Sequence, residues 1–220
     1  MGVPRRESAS VTRRLVIFDF GAVMFRWQPL DLLQQVVPGL APDETAARDL
    51  AAQVFQGFVP GSDWSRFDLG EVDEAELAQT IARRTGLPEQ AVRTIIEAIP
   101  PHLEPQAGTV AVFRELGQRG CRTAYLSNMP RSYAAHLERL NPFIAEFDDG
   151  LFSGRVGLIK PSAAIFELAD RRFGVQAGNP PLFIDDHPAN VAAAQAHGWQ
   201  ALVFESPAQL RLELARTGWL

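Results

Sequence analysis

The sequence predicts an α/β fold, a doubly wound parallel sheet with a block of helices inserted after its first strand. Two observations lead to this prediction. Short apolar, β-prone runs alternate with helical patterns over most of the chain, as in parallel sheets covered by helices. In addition, a long stretch of helical pattern without any strand pattern follows the first apolar run.

Four segments are predicted strands. Each holds consecutive apolar residues without polar alternation, which is typical of strands covered on both faces. They are "LVIFDF" at 15–20, "RTAYLSN" at 122–128, "PLFIDD" at 181–186 and "QALVF" at 200–204.

Helices with recognisable starts and ends separate these strands. "NVAAAQAHG" ends at Gly198, a glycine suited to the position after a helix. "SPAQLRLELARTG" opens with Ser206 as the N-cap, Pro207 in the first helical position and Gln209 at the capping-box position. Strand and helix therefore alternate through the second half of the chain.

The segment 28–104 interrupts this alternation, because its three patterns, "DETAARDLAAQVF", "DEAELAQTIARRTG" and "PEQAVRTIIEAI", are all amphipathic helices. We predict a core formed by 14–27 and 105–220, a helical cap formed by 28–104, and a disordered tail at 1–13. Helices that simply pack on the sheet are the alternative to a cap.

Composition restricts the partners and the compartment. With 220 residues, 46% of them hydrophobic, the chain can bury a sizeable core. A net charge of -5 argues against binding to nucleic acid or to anionic membranes. The single cysteine, Cys121, excludes an intramolecular disulfide and is expected to be a buried thiol, and no apolar run reaches the ~20 residues of a membrane span. A cytoplasmic protein is predicted.

Polar side chains follow three of the predicted strands: Asp19, then Ser127 with Asn128, then Asp185 with Asp186. Ligands of open parallel sheets bind at the carboxyl ends of the strands, so we expect these side chains to share one crevice. Three carboxylates in one place repel each other unless a cation lies among them, and Mg²⁺ prefers such oxygen ligands. The serine hydroxyl and the asparagine amide can donate hydrogen bonds to an anion.

One lysine is expected to join this group. In "GLIKPSAAIFELA", Pro161 disfavours helical backbone at Lys160, and the residues that follow are helical in pattern. Lys160 is therefore expected at a helix entrance, where its side chain can turn inward. An ordinary surface lysine is the alternative.

The order of these motifs resembles the haloacid dehalogenase (HAD) superfamily. The resemblance rests on "FDFGAV", "LSN", "GLIKP" and "FIDDHPANVAAA", and it extends from residue 15 to about 205. It implies a Rossmann-like core with an inserted α-helical C1 cap. Within the predicted cap, "WSRFDLGEVDEAEL" at 64–77 is similar to the phosphatase branch that includes sugar-1-phosphate phosphatases and the N-terminal phosphatase domain of epoxide hydrolase.

The resemblance implies a Mg²⁺-dependent phosphomonoester hydrolase that forms an aspartyl phosphate. Phosphoryl transfer depends mainly on positioning and on cancelling negative charge, which the predicted crevice is suited to supply. The expected substrate is a small phosphorylated metabolite, with sugar phosphates as the candidate class, and the expected assembly is a monomer or a homodimer. The implied roles are Asp19 as nucleophile and metal ligand, Ser127 and Lys160 as catalytic and phosphate-binding residues, Asn128 as a phosphate-binding residue, the Gly21 carbonyl and Asp186 as further metal ligands, Asp185 as holder of a metal-bound water or of Lys160, and Asn190 as a supporting residue.

One position departs from the family pattern. Many phosphatases of the superfamily carry a second aspartate two residues after the nucleophile, as general acid and base, where this chain has Gly21. Such assistance is typically worth ~10²–10⁴-fold in rate. His187, Arg26 and Asp68 are candidates to replace it. Alternatively the substrate has a leaving group that needs little protonation, such as a sugar 1-phosphate.

Other interpretations are a non-catalytic relative that binds a phosphorylated ligand or a protein, and a metal-independent 2-haloacid dehalogenase. Dehalogenases resemble "DAYGTL" after the first strand, a tyrosine that this chain lacks, and the acid pair at 185–186 is hard to explain without a cation. A response-regulator receiver is disfavoured because its acid pair follows the first strand. Trp27, Trp64 and Phe67 either line a substrate pocket or pack within the helices.

Overall fold

The computed structural model describes residues 13–220, so almost all of the predicted disordered tail lies outside the described residues. The chain forms one five-stranded parallel sheet in the order β3-β2-β1-β4-β5. The strands are β1 (Leu15–Phe18), β2 (Arg122–Ser127), β3 (Asp149–Phe152), β4 (Leu182–Asp185) and β5 (Gln200–Val203). The predicted α/β fold with a parallel sheet is confirmed.

β1 lies at the centre of the sheet, between β2 and β4. Phe18 is paired with Tyr125 on one side and with Ile184 on the other, so the three strands end at nearly the same level. The chain order changes direction at this point, which is where open α/β sheets bind their ligands. The sheet therefore brings the three predicted strand-end motifs to one place.

The edge strand β3 was not predicted from the sequence. Its first two residues, Asp149 and Gly150, are partly exposed, and only Leu151 and Phe152 are buried apolar residues. The Asp-Asp-Gly sequence before these two apolar residues is a pattern typical of turns. The backbone is extended here because it pairs with β2.

Helices cover the sheet and fill the segment between β1 and β2. That segment contains α1 (Pro29–Val36), α2 (Glu44–Phe55), a 3₁₀ turn (Gln56–Phe58), α3 (Asp63–Asp68), α4 (Glu74–Thr85) and α5 (Glu89–His102). The remaining helices are α6 (Ala107–Gln118), α7 (Arg131–Leu140), a 3₁₀ turn (Pro142–Glu146), α8 (Ser153–Val156), α9 (Ala163–Phe173), α10 (Pro188–Ala196) and α11 (Pro207–Arg216). Helix α11 starts as its sequence predicts, with the Ser206 hydroxyl accepting from the Gln209 N–H at 3.1 Å. Lys160 precedes the Ser162 N-cap of α9, at the predicted helix entrance.

The helices α1–α5 form a layer that packs with the sheet. A single hydrophobic cluster joins Phe18 and Phe20 to Ile81 and Ile96 of this layer. The division into a core and a cap at 28–104 stays a prediction. Among the described residues, none of the helices is long and apolar enough to cross a membrane.

Candidate active site

Three carboxylates converge at the carboxyl ends of β1 and β4. Asp19 follows β1 directly, Asp185 ends β4, and Asp186 follows it. The pairing of β1 with β4 is fixed by ladder hydrogen bonds, including Asp19 N–H to the Ile184 carbonyl at 2.9 Å. One oxygen from each of the three carboxylates lies within 4.8 Å of the other two.

Lys160 lies among these acids. Its side chain is 1% exposed, and its Nζ lies 2.6 Å from Asp185 Oδ2 and 2.9 Å from Asp19 Oδ1. Burial acts to lower the lysine pKa, but the charges of Asp185 and Asp19 outweigh it, so the pKa lies above its ordinary value. Lys160 is therefore a permanent cation between the two strand ends.

Both carboxylate oxygens of Asp185 accept hydrogen bonds from groups of the protein. Its Oδ1 accepts from the His187 N–H at 2.8 Å and from Asn190 Nδ2 at 3.0 Å, while Oδ2 accepts from Lys160 Nζ at 2.6 Å. Of the two roles expected for this carboxylate, the structure favours orienting the lysine. Asn190, buried at the start of α10, donates from Nδ2 to both oxygens of Asp185, and its role as a supporting residue stays a prediction.

Asp19 has the opposite surroundings. It is 7% exposed, and although Lys160 Nζ is at ion-pair distance, no donor in the described chain has hydrogen-bonding geometry toward Oδ1. Burial raises the pKa of Asp19; the Lys160 charge opposes this increase and the Asp185 charge adds to it. A buried carboxylate oxygen without a donor is available to a cation or to an electrophile.

Asp186 completes a donor set that fits a hard divalent cation. Burial, followed by the charges of Asp19 and Asp185, raises its pKa to about 7 against the opposing charge of Lys160. Ionising the Asp186 carboxyl is costly in this arrangement, and it becomes favourable when a cation neutralises the negative charge of the cluster. Gly21 borders the same cavity, and Asp19, Asp186 and the Gly21 backbone stay the predicted ligands of Mg²⁺.

Ser127 and Asn128 lie at the end of β2, as predicted, but they differ in which of their hydrogen-bonding groups are free to bind an anion. Ser127, 1% exposed, ends β2 beside Asp19 and lowers the pKa of that carboxyl. The Asn128 amide instead forms two hydrogen bonds with the backbone of Lys160. Its Oδ1 accepts from the Lys160 N–H at 2.8 Å, and its Nδ2 donates to the Lys160 carbonyl at 2.9 Å. Asn128 thus positions Lys160 and keeps one Nδ2 hydrogen for another acceptor.

A cavity of about 390 Å³ opens above the strand ends, between the sheet and the helical layer. The polar residues at its base are Asp19, Gly21, Asn128, Lys160, Asp186 and Asn190. Its walls are mainly apolar and include Trp27, Phe58, Val59, Pro60, Trp64, Ile99, Leu103, Met129 and Tyr133. The two tryptophans proposed from sequence line the cavity; Phe67 does not, and packs edge-on against Tyr133 at 5.3 Å.

Of the three candidates to replace the acid missing at Gly21, Asp68 is the one buried in this cavity. It is 6% exposed at the end of α3, borders the cavity, and its carboxyl forms no hydrogen bond within the described chain. Burial, with the Asp19 charge adding and the Lys160 charge opposing, raises the pKa of Asp68 to about 8. His187 is an exposed residue that caps α10 at the edge of the cavity, and Arg26 pairs with Glu104 on the surface at 3.8 Å.

The backbone around Asp68 is fixed by contacts that sequence patterns did not reveal. Ser153, completely buried after β3, donates from Oγ to the Asp68 carbonyl at 2.6 Å and accepts from the Met129 N–H at 2.8 Å. Gly70 has φ +74°, and a Cβ there would lie 2.5 Å from the Gly154 carbonyl oxygen. Ser153 follows β3, a strand that was not predicted from the sequence, and the close approach of Gly70 to Gly154 has no sequence pattern that would reveal it.

A doubly wound parallel sheet with an acid–lysine cluster at its switch point defines a class of α/β enzymes with carboxylate chemistry at the strand ends. Residues 30–198 match the haloacid dehalogenase-like hydrolase family, and the chain belongs to this family. The superfamily predicted from the motifs, and a hydrolase as the type of enzyme, are confirmed. The C1-capped phosphatase branch stays a prediction.

Known proteins similar to the chain include both phosphatases and dehalogenases. A sesquiterpene phosphatase, astK, of Aspergillus oryzae is 25% identical over 194 residues, covering 87% of this chain and 89% of that protein. A HAD-family enzyme of Bacteroides thetaiotaomicron, solved with magnesium and inorganic phosphate, has a TM-score of 0.64 at 17% identity, covering 88% of this chain and 95% of that chain. The L-2-haloacid dehalogenase of Xanthobacter autotrophicus has a TM-score of 0.65 at 18% identity, covering 94% of this chain and 84% of that chain. At these identities the two structures show the shared fold alone.

Proposed function

We propose that the chain is a Mg²⁺-dependent phosphomonoesterase that acts through an aspartyl phosphate on Asp19. The observation that carries the proposal is the buried Asp19 Oδ1, which has no hydrogen-bond donor but lies beside a permanent cation and a second acid at the base of a cavity. The similarity to a sesquiterpene phosphatase over most of both chains supports phosphate ester chemistry.

In the first half-reaction, an Asp19 carboxylate oxygen attacks phosphorus and the ester P–O bond breaks. Lys160 and the Ser127 hydroxyl would bind phosphoryl oxygens; their position beside the Asp19 carboxylate supports this assignment. Mg²⁺, held by Asp19, Asp186 and the Gly21 carbonyl, would supply further neutralisation of phosphoryl charge. The departing alkoxide needs one proton.

We assign that proton to Asp68. Its carboxyl is buried at the cavity wall, forms no hydrogen bond within the described residues, and is close enough to Asp19 and Lys160 for their charges to affect its pKa. In the second half-reaction, water attacks the aspartyl phosphate, the bond between phosphorus and the Asp19 oxygen breaks, and Asp68 takes the proton that water loses. Inorganic phosphate and the regenerated Asp19 carboxylate are the products.

A phosphate-release screen over sugar phosphates and other small phosphate monoesters tests this function. The expected result is release in Mg²⁺, loss of release in EDTA and loss in Asp19→Asn. Asp49→Asn, at an exposed aspartate of α2, is the matched control for removing one carboxylate charge and should behave like wild type. Purified enzyme that releases no phosphate above the Asp19→Asn blank would instead favour a non-catalytic relative that binds a phosphorylated ligand or a protein.

A metal-independent 2-haloacid dehalogenase is the second candidate function, since a dehalogenase shares the fold over 94% of this chain. It predicts halide release from a 2-haloacid in the presence of EDTA. The hydrogen bond between Asp185 and Lys160 is compatible with both reactions, but an Asp19 Oδ1 without a donor, beside Asp186, favours the metal-dependent one. A cytoplasmic location and a small phosphorylated metabolite as substrate stay predictions, with sugar phosphates as the class suggested by sequence.

A further inference from the structure

The cavity is polar at one end and apolar at the other. Asp19, Lys160 and Asp186 form its base, at the strand ends. The apolar lining comes from Trp27, from the turn before α3, from α3 itself, from the end of α5 and from the start of α7 with the residues before it. These side chains are almost entirely carbon: Trp27, Phe58, Val59, Pro60, Trp64, Ile99, Leu103, Met129 and Tyr133. A ligand that fills this cavity therefore has a charged group at one end and an apolar body at the other.

The apolar walls offer few partners for hydroxyl groups. The Tyr133 hydroxyl is already used, because it donates to the Ile96 carbonyl at 2.6 Å. Apart from the indole N–H groups of Trp27 and Trp64, Asp68 is the one polar side chain that residues 27–104 contribute to the lining. A sugar would lose its hydration in this cavity without gaining matching hydrogen bonds, which is costly for each hydroxyl.

Two large apolar side chains remain exposed at the mouth of this cavity. Phe58 is 39% exposed and Val59 is 54% exposed, and both border the cavity. Phe58 is stacked on Phe55 with ring centroids 5.5 Å apart and makes T-shaped contacts with Trp27 and Trp64, yet more than a third of it stays exposed. Exposed apolar residues that line a cavity mark a surface for an apolar ligand.

The backbone at the mouth is also held in an unfavourable conformation. Gln56 and Phe58 have φ of +49° and +55°, a region that side chains with a Cβ rarely adopt. The third non-glycine residue with positive φ in the described chain is Ala22, which borders the same cavity. Gln56 does not border the cavity and is the left-handed C-cap of α2, so the strain at the cavity lies at Phe58 and Ala22, as is typical of residues positioned for binding.

We infer that the cavity binds phosphate monoesters whose organic group is apolar, an alkyl, prenyl or aryl chain, in preference to polyhydroxylated sugar phosphates. The inference rests on the proposed phosphatase function for the position of the phosphate at Asp19 and Lys160. The organic group would extend from there past Asp68 to Trp64, Phe58 and Val59. A cavity of about 390 Å³ is within the usual range for small organic ligands.

The first test compares esters of primary alcohols, so that leaving-group chemistry is constant. We expect kcat/KM to rise about fourfold for each methylene from ethyl to hexyl phosphate, until the cavity is filled, and to be at least tenfold higher for hexyl phosphate than for glucose 6-phosphate. All alkyl phosphates are used below their micelle-forming concentrations. A higher kcat/KM for glucose 6-phosphate would overturn the inference while leaving the phosphatase function intact.

The second test removes the exposed ring. Phe58→Gly suits the positive φ, so the variant is expected to fold, and it should lower the ratio of kcat/KM for hexyl over ethyl phosphate about tenfold. Leu212→Ala is the matched control, because Leu212 is an exposed apolar residue of α11 that does not border the cavity. An unchanged ratio in Phe58→Gly would remove Phe58 from the binding surface and contradict the inference.

A binding measurement separates the two proposals. Hexylphosphonate has a P–C bond in place of the ester and is not hydrolysed, and its binding to the Asp19→Asn variant can be followed by the fluorescence of Trp27 and Trp64. Binding to Asp19→Asn that is at least tenfold tighter for hexylphosphonate than for ethylphosphonate would support the apolar site, and if the wild type then hydrolysed no ester, the phosphatase function alone would be rejected. Equal affinity for the two phosphonates would reject the apolar site.

Discussion

Replacing Asp68 by asparagine should make the metal-free protein more stable at neutral pH. The native carboxyl has a pKa of about 8, whereas an unfolded chain leaves it at 3.8. At pH 7 the unfolded carboxyl is ionised and the native one is protonated, so folding must take up a proton. The contribution of this carboxyl to the free energy of unfolding is therefore fully present below about pH 4 and is lost as pH rises toward 8.

The size of the effect follows from the difference between these pKa values. Protonating the carboxyl at pH 7 costs about three pKa units at 1.36 kcal/mol each, or ~4 kcal/mol. Asparagine avoids this cost, but its buried amide lacks partners, which costs ~1–3 kcal/mol. The expected net gain for Asp68→Asn at pH 7 is about 1–3 kcal/mol, and it should shrink to about zero near pH 5.

Urea unfolding in EDTA at pH 5, 6, 7 and 8 measures this difference. Asp186, whose pKa is raised by its burial and by the charges of Asp19 and Asp185, is present in both proteins, so its contribution to the difference between them should largely cancel. Asp49→Asn, on the exposed face of α2, serves as the control and should show no pH-dependent gain. A stability difference between wild type and Asp68→Asn that is independent of pH, or a variant that is less stable at pH 8, would refute the reasoning.

The same variant separates stability from catalysis. If Asp68 donates the proton to the leaving group, Asp68→Asn should lower kcat for alkyl phosphates by ~10²–10⁴-fold while unfolding at higher urea concentration. A gain in stability together with a loss of rate is the expected signature of a buried functional acid. Unchanged kcat for alkyl phosphates would leave Asp68 without a catalytic role.

Three further predictions concern glycines and the metal. No heavy atom lies within 4 Å of a Cβ built on Gly21, so Gly21→Asp should fold; if protonation limits the wild-type rate, phosphate release from esters with poor leaving groups should rise, and an unchanged rate would point to an acid already in place. Gly70→Ala should lose ~2 kcal/mol or more in urea unfolding, because its Cβ would meet the Gly154 carbonyl at 2.5 Å, whereas Gly86→Ala has the same φ of +74° without a close contact and should lose less; equal losses would argue against the close approach. Mg²⁺ should raise the melting temperature of wild type at pH 7 but not that of Asp186→Asn, and equal shifts in differential scanning calorimetry would place the ion elsewhere.

The site residues at the strand ends could be predicted because each follows an apolar run directly. The sheet order β2-β1-β4 then places Asp19, Ser127 and Asp185 side by side, which is a property of topology that the alternating pattern already implies. Lys160 could be placed through Pro161, which ends one backbone conformation and precedes a helix. In these cases a local sequence signal and the global fold determine the same position.

The rest depended on tertiary packing. β3 has two apolar residues and becomes a strand by pairing with β2. Asp68 looks from sequence like any carboxylate near the end of a short helix. Its burial is a tertiary feature, and its backbone carbonyl accepts a hydrogen bond from Ser153, 85 residues away. The strain at Phe58 has no sequence signal either, because the residue follows a glycine in an ordinary apolar stretch.

The position of Asp68 suggests why Gly21 can lack an acid. An aspartate at position 21 would follow the central strand, and its position would not depend on how the helical layer binds the organic group. Asp68 belongs instead to α3, ten residues after Phe58, in the segment that also forms the apolar wall and the strained mouth. Proton donation and recognition of the organic group would then depend on the same short segment. A leaving group that fails to displace water from this wall would also leave Asp68 hydrated, with a pKa closer to that of a free carboxyl, and thus a poor donor at neutral pH. The enzyme would select apolar esters in the chemical step as well as in binding, and the chain-length dependence of kcat, not only of KM, would reveal it.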